Sequence, residues 1–495
     1  MSTFKFLISN YFWLTASRFI TKIAALFSLP IITYYLSPKD FGTIAMFSVV
    51  QGFLGSFFGM GLHSFAGRVI YKYERSEKEK CREYLSIILI YIALFSITGV
   101  IISSIFAEQL AHLLFGDLLL PGRIFYYIPI ITAFLASIQG FSSNVLLNLQ
   151  MNKRLFYLEM LQFILFLPAQ LIGLIYFEFT VWDVIILQTF VQAVTFFYGM
   201  WLVREWISFS TGRLRIFKEA MAYSLPMVPL NFAGWIQDRI DKVFLNRMVS
   251  LGSVGVYSAG VTIANQYSFI SRPITTTLKP EISKRLDADS PNIQRDIREI
   301  FMFFFQFSIF LYLAISLFSK EIVTIILNAR FYEAHKVIPI FLLSIIFSEL
   351  TGIFHLKFIY KNKTIWFSIT FILSALLNVS FNLILIPKFS IYGASLAKTL
   401  SELFILFLTY YISQKLHKSS YHLYHNFIPL VGVIFIVFLI NSCELWFCKF
   451  FILKFVVLLL YIMGFDYFLR KYNNIYNTLR NMFTNKVQGI LKKII

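Results

Sequence analysis

The chain has 495 residues, of which 58% are hydrophobic, 19% aromatic and only 14% charged, and its formal net charge is +19. Ordinary soluble domains are about 45–50% apolar and about 25% charged, so this chain has too little polar surface to cover its apolar mass in water. The composition therefore excludes a water-soluble enzyme and a secreted domain. The low charged, Pro and Gly content also excludes a disordered chain.

Apolar segments follow one another along the whole chain, and a helix of about 20 such residues crosses about 30 Å of hydrocarbon. Fourteen segments lie near 11–36, 43–66, 85–106, 125–148, 157–177, 182–204, 221–247, 254–282, 300–318, 337–356, 364–387, 391–413, 427–441 and 449–468. The runs are continuous rather than alternating, which favours helices over the strands of a barrel. The sequence therefore predicts an all-α integral membrane protein with about 14 transmembrane helices.

Lysine and arginine are distributed unevenly between alternate loops. The loops on the side of the N-terminus carry 29 of the 44, the opposite loops carry 8, and 7 lie inside the predicted spans. By the positive-inside rule, both termini are predicted to lie in the cytoplasm. Because the charge is spread over eight loops without a recognition module, it indicates membrane topology rather than nucleic-acid binding.

The loops between the predicted spans are too short to hold a soluble catalytic domain. The sequence contains no Gly-Lys dipeptide, hence no nucleotide-binding loop of the usual form, and no His-Glu-x-x-His motif. We therefore predict that the protein is not an enzyme and carries neither a cofactor nor a metal.

Two short outer turns align with an offset of 213 residues. Residues 36–42 are Leu-Ser-Pro-Lys-Asp-Phe-Gly, and residues 249–255 are Val-Ser-Leu-Gly-Ser-Val-Gly. Each turn follows the first helix of a six-helix set, and an even number of helices separates the two copies. The repeat predicts two parallel six-helix lobes, 1–210 and 211–420, related by pseudo-two-fold symmetry with a site between them. Two extra helices then occupy 421–468.

Seven basic residues fall inside predicted spans, where a charge at the bilayer centre costs roughly 2.5–3.5 kcal/mol and usually faces a cavity or a partner. They are Arg18, Lys22, Arg239, Lys242, Arg272, Lys398 and Lys454. The first six are candidates to bind an anionic cargo group, since guanidinium and ammonium groups bind phosphate. Arg18 and Lys22 share one face of the first helix, which offers no acid to either.

Structural pairing is the alternative role for these charges. Asp238 precedes Lys242 by four residues, the favourable order for an ion pair within a helix, and Asp241 could pair with Arg239 or with a neighbour in the other lobe. Lys398 has the same spacing to Glu402, while Lys454 is predicted to snorkel toward a helix end. Both roles stay open at this point.

Intramembrane carboxylates are candidates for proton or sodium coupling. They are Asp238, Asp241, Glu349 and Glu402. The alternative is downhill flipping without a coupling ion, in which later polymerisation consumes the flipped lipid and so drives net transport. Span 2 also carries small residues at helical spacing, which predict close helix packing or, alternatively, bending; these are Gly52, Gly55, Ser56 and Gly59.

The C-terminal tail, 469–495, holds six Lys or Arg residues and no Asp or Glu. Its apolar residues recur at helical spacing. The pattern predicts a cationic amphipathic helix on the anionic inner leaflet.

The turn at 36–42, after a first helix with Arg18 and Lys22, resembles the polysaccharide-lipid flippases of the multidrug/oligosaccharidyl-lipid/polysaccharide exporter superfamily. Further matches are Asp238-Arg239-Ile240-Asp241-Lys242, Val254-Gly255-Val256-Tyr257, and Ile386-Pro387 before Tyr392-Gly393-Ala394-Ser395-Leu396-Ala397. The resemblance covers about 1–468. It implies alternating-access flipping of an undecaprenyl-diphosphate-linked oligosaccharide across a bacterial inner membrane, for O-antigen, lipopolysaccharide or capsule assembly.

The same resemblance implies the partners: lipid-linked oligosaccharide, membrane lipids, and a polysaccharide polymerase with its chain-length machinery. Three alternatives stay open. A flippase for the peptidoglycan precursor shares the fold and the diphosphate. A drug or cation exporter should favour acidic cavity residues, and a membrane glycosyl polymerase should need a larger outer loop than this chain has.

Overall fold

The computed structural model describes residues 12–13, 15–16, 27–115, 122–208, 214–275, 291–416, 423–442 and 447–472. Every regular element in these ranges is a helix. Eight of the helices have at least 18 residues and are apolar enough to cross a membrane, and Leu251–Ala264 and Phe427–Asn441 are shorter apolar helices. The predicted all-α membrane fold is confirmed.

The helices follow the predicted spans closely, with some spans divided in two. In the first half they are α1 (27–35), α2 (Pro38–Phe58), α3 (Leu62–Tyr73), α4 (Lys78–Ile105), α5 (Ala107–Phe115), α6 (Ile124–Asn148), α7 (Asn152–Tyr176) and α8 (Val181–Val203). The second half contains α9 (Leu214–Ser224), α10 (Met227–Met248), α11 (Leu251–Ala264), α12 (267–275), α13 (Pro291–Leu317), α14 (Ser319–Ile326), α15 (Ala334–Tyr360), α16 (Ile365–Leu416), α17 (Leu423–Ser442) and α18 (Phe447–Tyr472). Two short 3₁₀ helices lie at Arg204–Trp206 and Ala329–Phe331.

The chain forms two compact units. The first comprises Met1–Ala259, Ile326–Tyr332 and Ala375–Ala397, and the second comprises the remainder of the chain. Helix α10 and the start of α11, which the sequence analysis assigned to the second lobe, pack with α2 in the first unit. Within that unit α6 packs against α2, α4 and α8.

Predicted span 2 is broken between α2 and α3. Met60 and Gly61 both have positive φ, 44° and 72°, a conformation that glycine adopts without strain. The break leaves carbonyl groups without helical partners, and the buried Ser96 hydroxyl donates to one of them, the Phe58 oxygen, at 3.3 Å. This polar contact satisfies backbone that the membrane could not hydrate.

Predicted spans 11 and 12 form α16, which is interrupted by a kink. Ser390 alone has non-helical dihedrals within it, φ 52° and ψ −127°. The turn between these spans is therefore shorter than the predicted loop, 388–390. Predicted span 8 is interrupted as well, at a turn formed by residues 265–266 between α11 and α12, about two helical turns before Pro273.

In the second unit, α13 packs against α15, α17 and α18. The predicted snorkelling of Lys454 is wrong. Its side chain is only 5% exposed, and its ammonium lies 2.6 Å from Glu321 Oε1. Glu321 lies in the first turn of α14, where the helix dipole also favours a carboxylate.

Candidate functional site

The two repeated turns have the same role in the structure. Ser37 is the N-cap of α2, and its hydroxyl accepts the Asp40 N–H at 3.3 Å. Ser250 precedes α11, and its hydroxyl accepts the Ser253 N–H at 3.1 Å. A hydroxyl that accepts the N3 amide stabilises the start of a helix. The serine that the two copies share therefore has one structural role in both, namely that of a helix cap.

The glycine that the two copies share has a second role, since the copies contact each other. A methyl group on Gly42 would overlap the Leu251 carbonyl oxygen, and a methyl group on Gly255 would overlap the Pro38 carbonyl oxygen. Leu251 and Pro38 are themselves equivalent in the 213-residue offset. The contact is therefore reciprocal, and only hydrogen at both glycine positions lets the α2 and α11 backbones approach so closely.

Farther along α2, two side chains of α10 bind its backbone. The Trp235 indole donates to the Val49 carbonyl at 3.0 Å, and Arg239 Nη1 donates to the Ser48 carbonyl. The Arg239 side chain lies across Gly52, where an added methyl carbon would lie 2.8 Å from Nε. Gly52 thus provides the predicted close packing, although its neighbour is a guanidinium rather than an apolar helix face.

Arg239 and Lys242 are half-buried on α10. In the described part of the chain, neither has a carboxylate oxygen within 4 Å of its charged nitrogen atoms. Asp238 is exposed, and the local ion pair with Lys242 that its spacing favours is not formed. Arg239 uses one of its five N–H donors on Ser48, so donors remain for an anion.

Asp241 has a different environment from these two cations. It is buried, the Tyr257 hydroxyl of α11 donates to its Oδ2, and its Oδ1 accepts the backbone N–H of Lys242 at 2.8 Å. These contacts orient the carboxylate toward α11. They also join α10 to the helix that carries the second repeated turn.

Aromatic rings fill the α2–α10 crossing beside Arg239. Phe232 and Trp235 of α10 are stacked with ring centroids 5.7 Å apart, and Phe53 of α2 lies edge-on to Trp235 at 5.1 Å. Phe57 completes the group at 5.4 Å from Phe232. The Arg239 side chain therefore lies beside a cluster of aromatic rings.

Polar side chains lie near Ser48, within the α2, α6 and α8 helices. A cavity of about 10 Å³, enough for about one water, is bordered by Ser48, Gln51, Thr132, Gln188 and Thr189. One helical turn further along α8, Gln192 and Thr195 both donate to Gln139. Sequence reasoning missed these residues, although isolated amides in apolar spans were a usable signal.

The other predicted site residues fall in different places. Arg18 and Lys22 lie outside the described residues, as does the tail from 473 onward. Arg272 is exposed on α12. Lys398 is buried in the second unit, with its ammonium 3.7 Å from Glu402 Oε1, which is the pairing alternative of the sequence analysis.

Glu349 is half-buried on α15 and accepts a hydrogen bond from the Ser271 hydroxyl at 2.6 Å. The buried Tyr267 lies one turn before Ser271 on α12. One unforeseen cation also belongs to α15: Lys357, predicted to lie in a cytoplasmic loop, is only 1% exposed. Because Lys357 directly follows the predicted span, 337–356, the sequence indicated an exposed loop residue rather than a buried one.

Comparison with known proteins decides the family. The model of the family described as polysaccharide biosynthesis protein matches residues 7–285, which is more than half of the chain. The chain belongs to this family. No curated protein sequence matches it.

Solved structures agree on the fold. The chain is similar to the lipid II flippase MurJ in an inward closed conformation, with a TM-score of 0.73 and 15% identity over 92% of this chain and 99% of that one. It is also similar to an inward-facing multidrug resistance MATE family transporter of the MOP superfamily, with a TM-score of 0.62 and 12% identity over 81% and 96%. A point mutant of the Vibrio cholerae MATE transporter VcmN gives a TM-score of 0.57 and 14% identity over 83% and 96%. The fold is thus that of multi-pass transporters of this superfamily, as the resemblance implied.

Proposed function

We propose that the protein flips an undecaprenyl-diphosphate-linked oligosaccharide from the cytoplasmic to the outer face of a bacterial inner membrane, for surface polysaccharide such as O-antigen or capsule. Membership in the polysaccharide biosynthesis family supports the cargo class. The observation that carries the proposal is the half-buried Arg239, which has no carboxylate within 4 Å in the described part of the chain. Asp238 and Asp241 attract the Arg239 guanidinium from beyond 4 Å. A buried charge without a contacting counter-ion is costly within a membrane, and a bound anion supplies that contact.

The diphosphate is the part of this cargo that Arg239 and Lys242 fit. Guanidinium and ammonium groups form charge-assisted hydrogen bonds to phosphate oxygens. The amide and hydroxyl side chains beside Ser48 supply donors and acceptors of the kind that sugar hydroxyls require. The isoprenoid chain can stay in the bilayer while the polar head crosses.

Alternating access accounts for the reciprocal glycine contact. Gly42 and Gly255 hold the outer turns of the two repeats in backbone contact. We assign this contact to the state in which the outer side is closed. Release of the cargo then requires these two turns to separate.

The test is a flipping assay with the purified full-length protein in liposomes that contain undecaprenyl-diphosphate-linked N-acetylglucosamine. A membrane-impermeant glycosyltransferase labels only the sugar exposed outside. Wild-type protein should expose the inner pool, Arg239→Gln should slow this at least tenfold, and Arg239→Lys should retain part of the rate. Equal rates in wild type and Arg239→Gln would exclude Arg239 from cargo binding.

The peptidoglycan precursor is the second candidate cargo, favoured by the likeness to a lipid II flippase over nearly the whole of both chains. The same liposomes charged with lipid II decide between the two. Faster exposure of lipid II than of the single-sugar lipid would assign the protein to cell-wall synthesis.

We further propose Glu349 as the coupling carboxylate, since its hydrogen bond from Ser271 can be reorganised when a proton or sodium ion binds. In Glu349→Gln, the flipping rate should no longer respond to an imposed pH or sodium gradient. A response equal to that of wild type would exclude Glu349 as the coupling residue. The remaining candidates would then be Asp238, Asp241 and Glu402, or downhill flipping without a coupling ion.

A further inference from the structure

A large polar cleft lies apart from the site around Arg239. It has a volume of about 730 Å³ and is formed by α3, the start of α4 and α9. These elements belong to the basic segments 67–84 and 204–218, which the positive-inside rule places in the cytoplasm. The volume falls within the range of about 300–1,000 Å³ that is usual for small-molecule sites, and it is far larger than one phosphate needs.

Two cations on one face of α3 line this cleft without an acidic partner. Arg68 and Lys72 are four residues apart, so they lie one above the other and repel each other. The Arg68 guanidinium lies 4.9 Å from the centre of the Tyr223 ring, and the Lys72 ammonium lies 4.9 Å from that of Tyr73. In the described part of the chain, no carboxylate oxygen lies within 4 Å of either charge.

The other basic residues of the cleft are paired. Lys80 Nζ lies 3.1 Å from Glu77, and Arg215 Nε lies 3.2 Å from Glu219. The contrast singles out Arg68 and Lys72 as the pair whose charges are available to an external anion. Both are exposed, so an anion can reach them without a change of fold.

The opposite wall of the cleft offers hydrogen-bonding groups of another kind. Glu219 accepts from the Tyr84 hydroxyl at Oε2 and from Arg215 at Oε1, and each carboxylate oxygen has a second lone pair for a further donor. Glu79 and Glu83 also line the space. Carboxylates accept hydrogen bonds from hydroxyl groups, and tyrosine rings present apolar faces to the C–H faces of a sugar. A ligand with phosphate at one end and sugar hydroxyls at the other matches both walls.

We propose that this cleft binds a glycosyl diphosphate, with Arg68 and Lys72 on the phosphates and Glu219 on the sugar hydroxyls. The inference rests on the proposed function, because the cytoplasmic headgroup of the flipped lipid is a glycosyl diphosphate. It adds a receiving site where that headgroup docks before it enters the membrane. A soluble nucleotide diphosphosugar carries the same chemistry and is the second source of such a ligand.

The experiment measures binding to the full-length protein in phosphatidylcholine nanodiscs. The probes are inorganic pyrophosphate, UDP-N-acetylglucosamine and farnesyl-diphosphoryl-N-acetylglucosamine. The variants are Arg68→Gln with Lys72→Gln, Glu219→Gln, and the control Arg75→Gln, whose side chain is 92% exposed just beyond the end of α3. Thermal unfolding of each variant shows that it is folded. A second measurement is the protection from a maleimide of Glu79→Cys, at an exposed position that lines the cleft and that the proposal does not assign to the ligand.

The double variant should bind both glycosyl diphosphates at least tenfold more weakly, while Arg75→Gln binds as wild type does. Glu219→Gln should lose the preference for the sugar-bearing probes but keep pyrophosphate. Tighter binding of the farnesyl probe than of the UDP-sugar assigns the cleft to the lipid-linked cargo, and the reverse assigns it to the soluble sugar donor. Unchanged affinity in the double variant, or no protection of Glu79→Cys by any probe, would show that the cleft does not bind a glycosyl diphosphate.

Flipping measured in parallel separates this inference from the proposed function. If wild-type protein flips its cargo and the double variant has unchanged affinity for it, the cleft inference is wrong and the function stands. If the cleft binds the probes but wild-type protein flips none of the lipids, the function is wrong and the cleft stands as a glycosyl diphosphate site.

Discussion

Two intramembrane cations, Lys454 in the second unit and Arg239 in the first, have opposite environments. Lys454 is buried against Glu321, and both carboxylate oxygens lie within 2.9 Å of its ammonium. Arg239 is half-buried and uses one donor on the Ser48 carbonyl. A hydropathy profile does not distinguish the two residues, since each is a basic residue inside an apolar span. A carboxylate contact, rather than depth in a span, therefore distinguishes a structural charge from a candidate binding charge.

Hydrogen bonds also join the helices next to the Lys454–Glu321 pair. Lys320 donates to the Asn441 carbonyl at 2.9 Å, and the Asn441 amide donates to the Ser316 carbonyl at 3.2 Å. These bonds join α17 to α13 and α14. Within the second unit, both extra C-terminal helices are therefore attached by polar contacts as well as by packing.

The largest expected effect comes from breaking the buried pair. Lys454→Met should destabilise the protein by about 3–5 kcal/mol, because it leaves the Glu321 carboxylate buried without its cation. The measurement is the midpoint of thermal or denaturant unfolding in detergent. Lys454→Met combined with Glu321→Met should recover most of the loss. A double variant no more stable than the single one would mean that the pair does not act as a unit.

The next effect concerns the reciprocal glycine contact. Gly42→Ala or Gly255→Ala places a methyl group against a backbone carbonyl, which should disfavour the closed contact by roughly 1–3 kcal/mol. Val254 is fully buried, so labelling of a Val254→Cys reporter by an impermeant maleimide should rise about tenfold. Gly55→Ala is the matched control on α2, since its methyl group would meet no atom within 4 Å. Equal labelling in all three backgrounds would show that this contact does not open.

A smaller effect on stability is expected at Arg239. Arg239→Gln removes one hydrogen bond to Ser48 and no carboxylate contact within 4 Å, so the free energy of unfolding should change by only about 1 kcal/mol while flipping falls at least tenfold. Arg239→Gln should therefore impair transport with little loss of stability, whereas the main effect of Lys454→Met should be a loss of stability. A stability loss as large as that of Lys454→Met would make Arg239 a structural residue instead.

The smallest effect is expected at Gly52. Its added methyl group would meet the Arg239 side chain, which is flexible and can move, so the stability loss should be under about 1 kcal/mol. The displaced guanidinium should bind cargo less well and raise the KM for flipping a few-fold. Gly55→Ala again serves as the control, and identical KM values for the two variants would remove Gly52 from the site.

Two features of the structure could be inferred from the sequence because their signals are local. The Ser-to-Ser and Gly-to-Gly matches in the repeated turn predicted an equivalence that the caps and the reciprocal contact bear out. The spacing of Lys398 and Glu402 offered the ion pair that is present. The same spacing between Asp238 and Lys242 did not produce one, because the packing around α10 decides where each side chain points.

The cleft between α3, α4 and α9 was beyond sequence reasoning, since Arg68 and Arg215 belong to loops that were counted only for topology. Their convergence depends on how α9 folds back beside α3, which no local pattern contains. The cavity-lining residues Gln51 and Gln188 were missed for a similar reason. Each is a single amide in an apolar run, and only packing places them together.

Hydropathy and helical period are properties of neighbouring residues. The amino-acid sequence therefore predicted the membrane class, the succession of apolar helices, the repeated turn and the set of charges that the membrane must accommodate. For Lys454 and Arg239, packing in three dimensions settled whether the charge contacts a carboxylate. Lys454 meets Glu321 across 133 residues of sequence, and Arg239 meets a backbone carbonyl on α2 instead of an acid. Electrostatic partners are chosen by distance in space, which the order of residues along the chain does not specify.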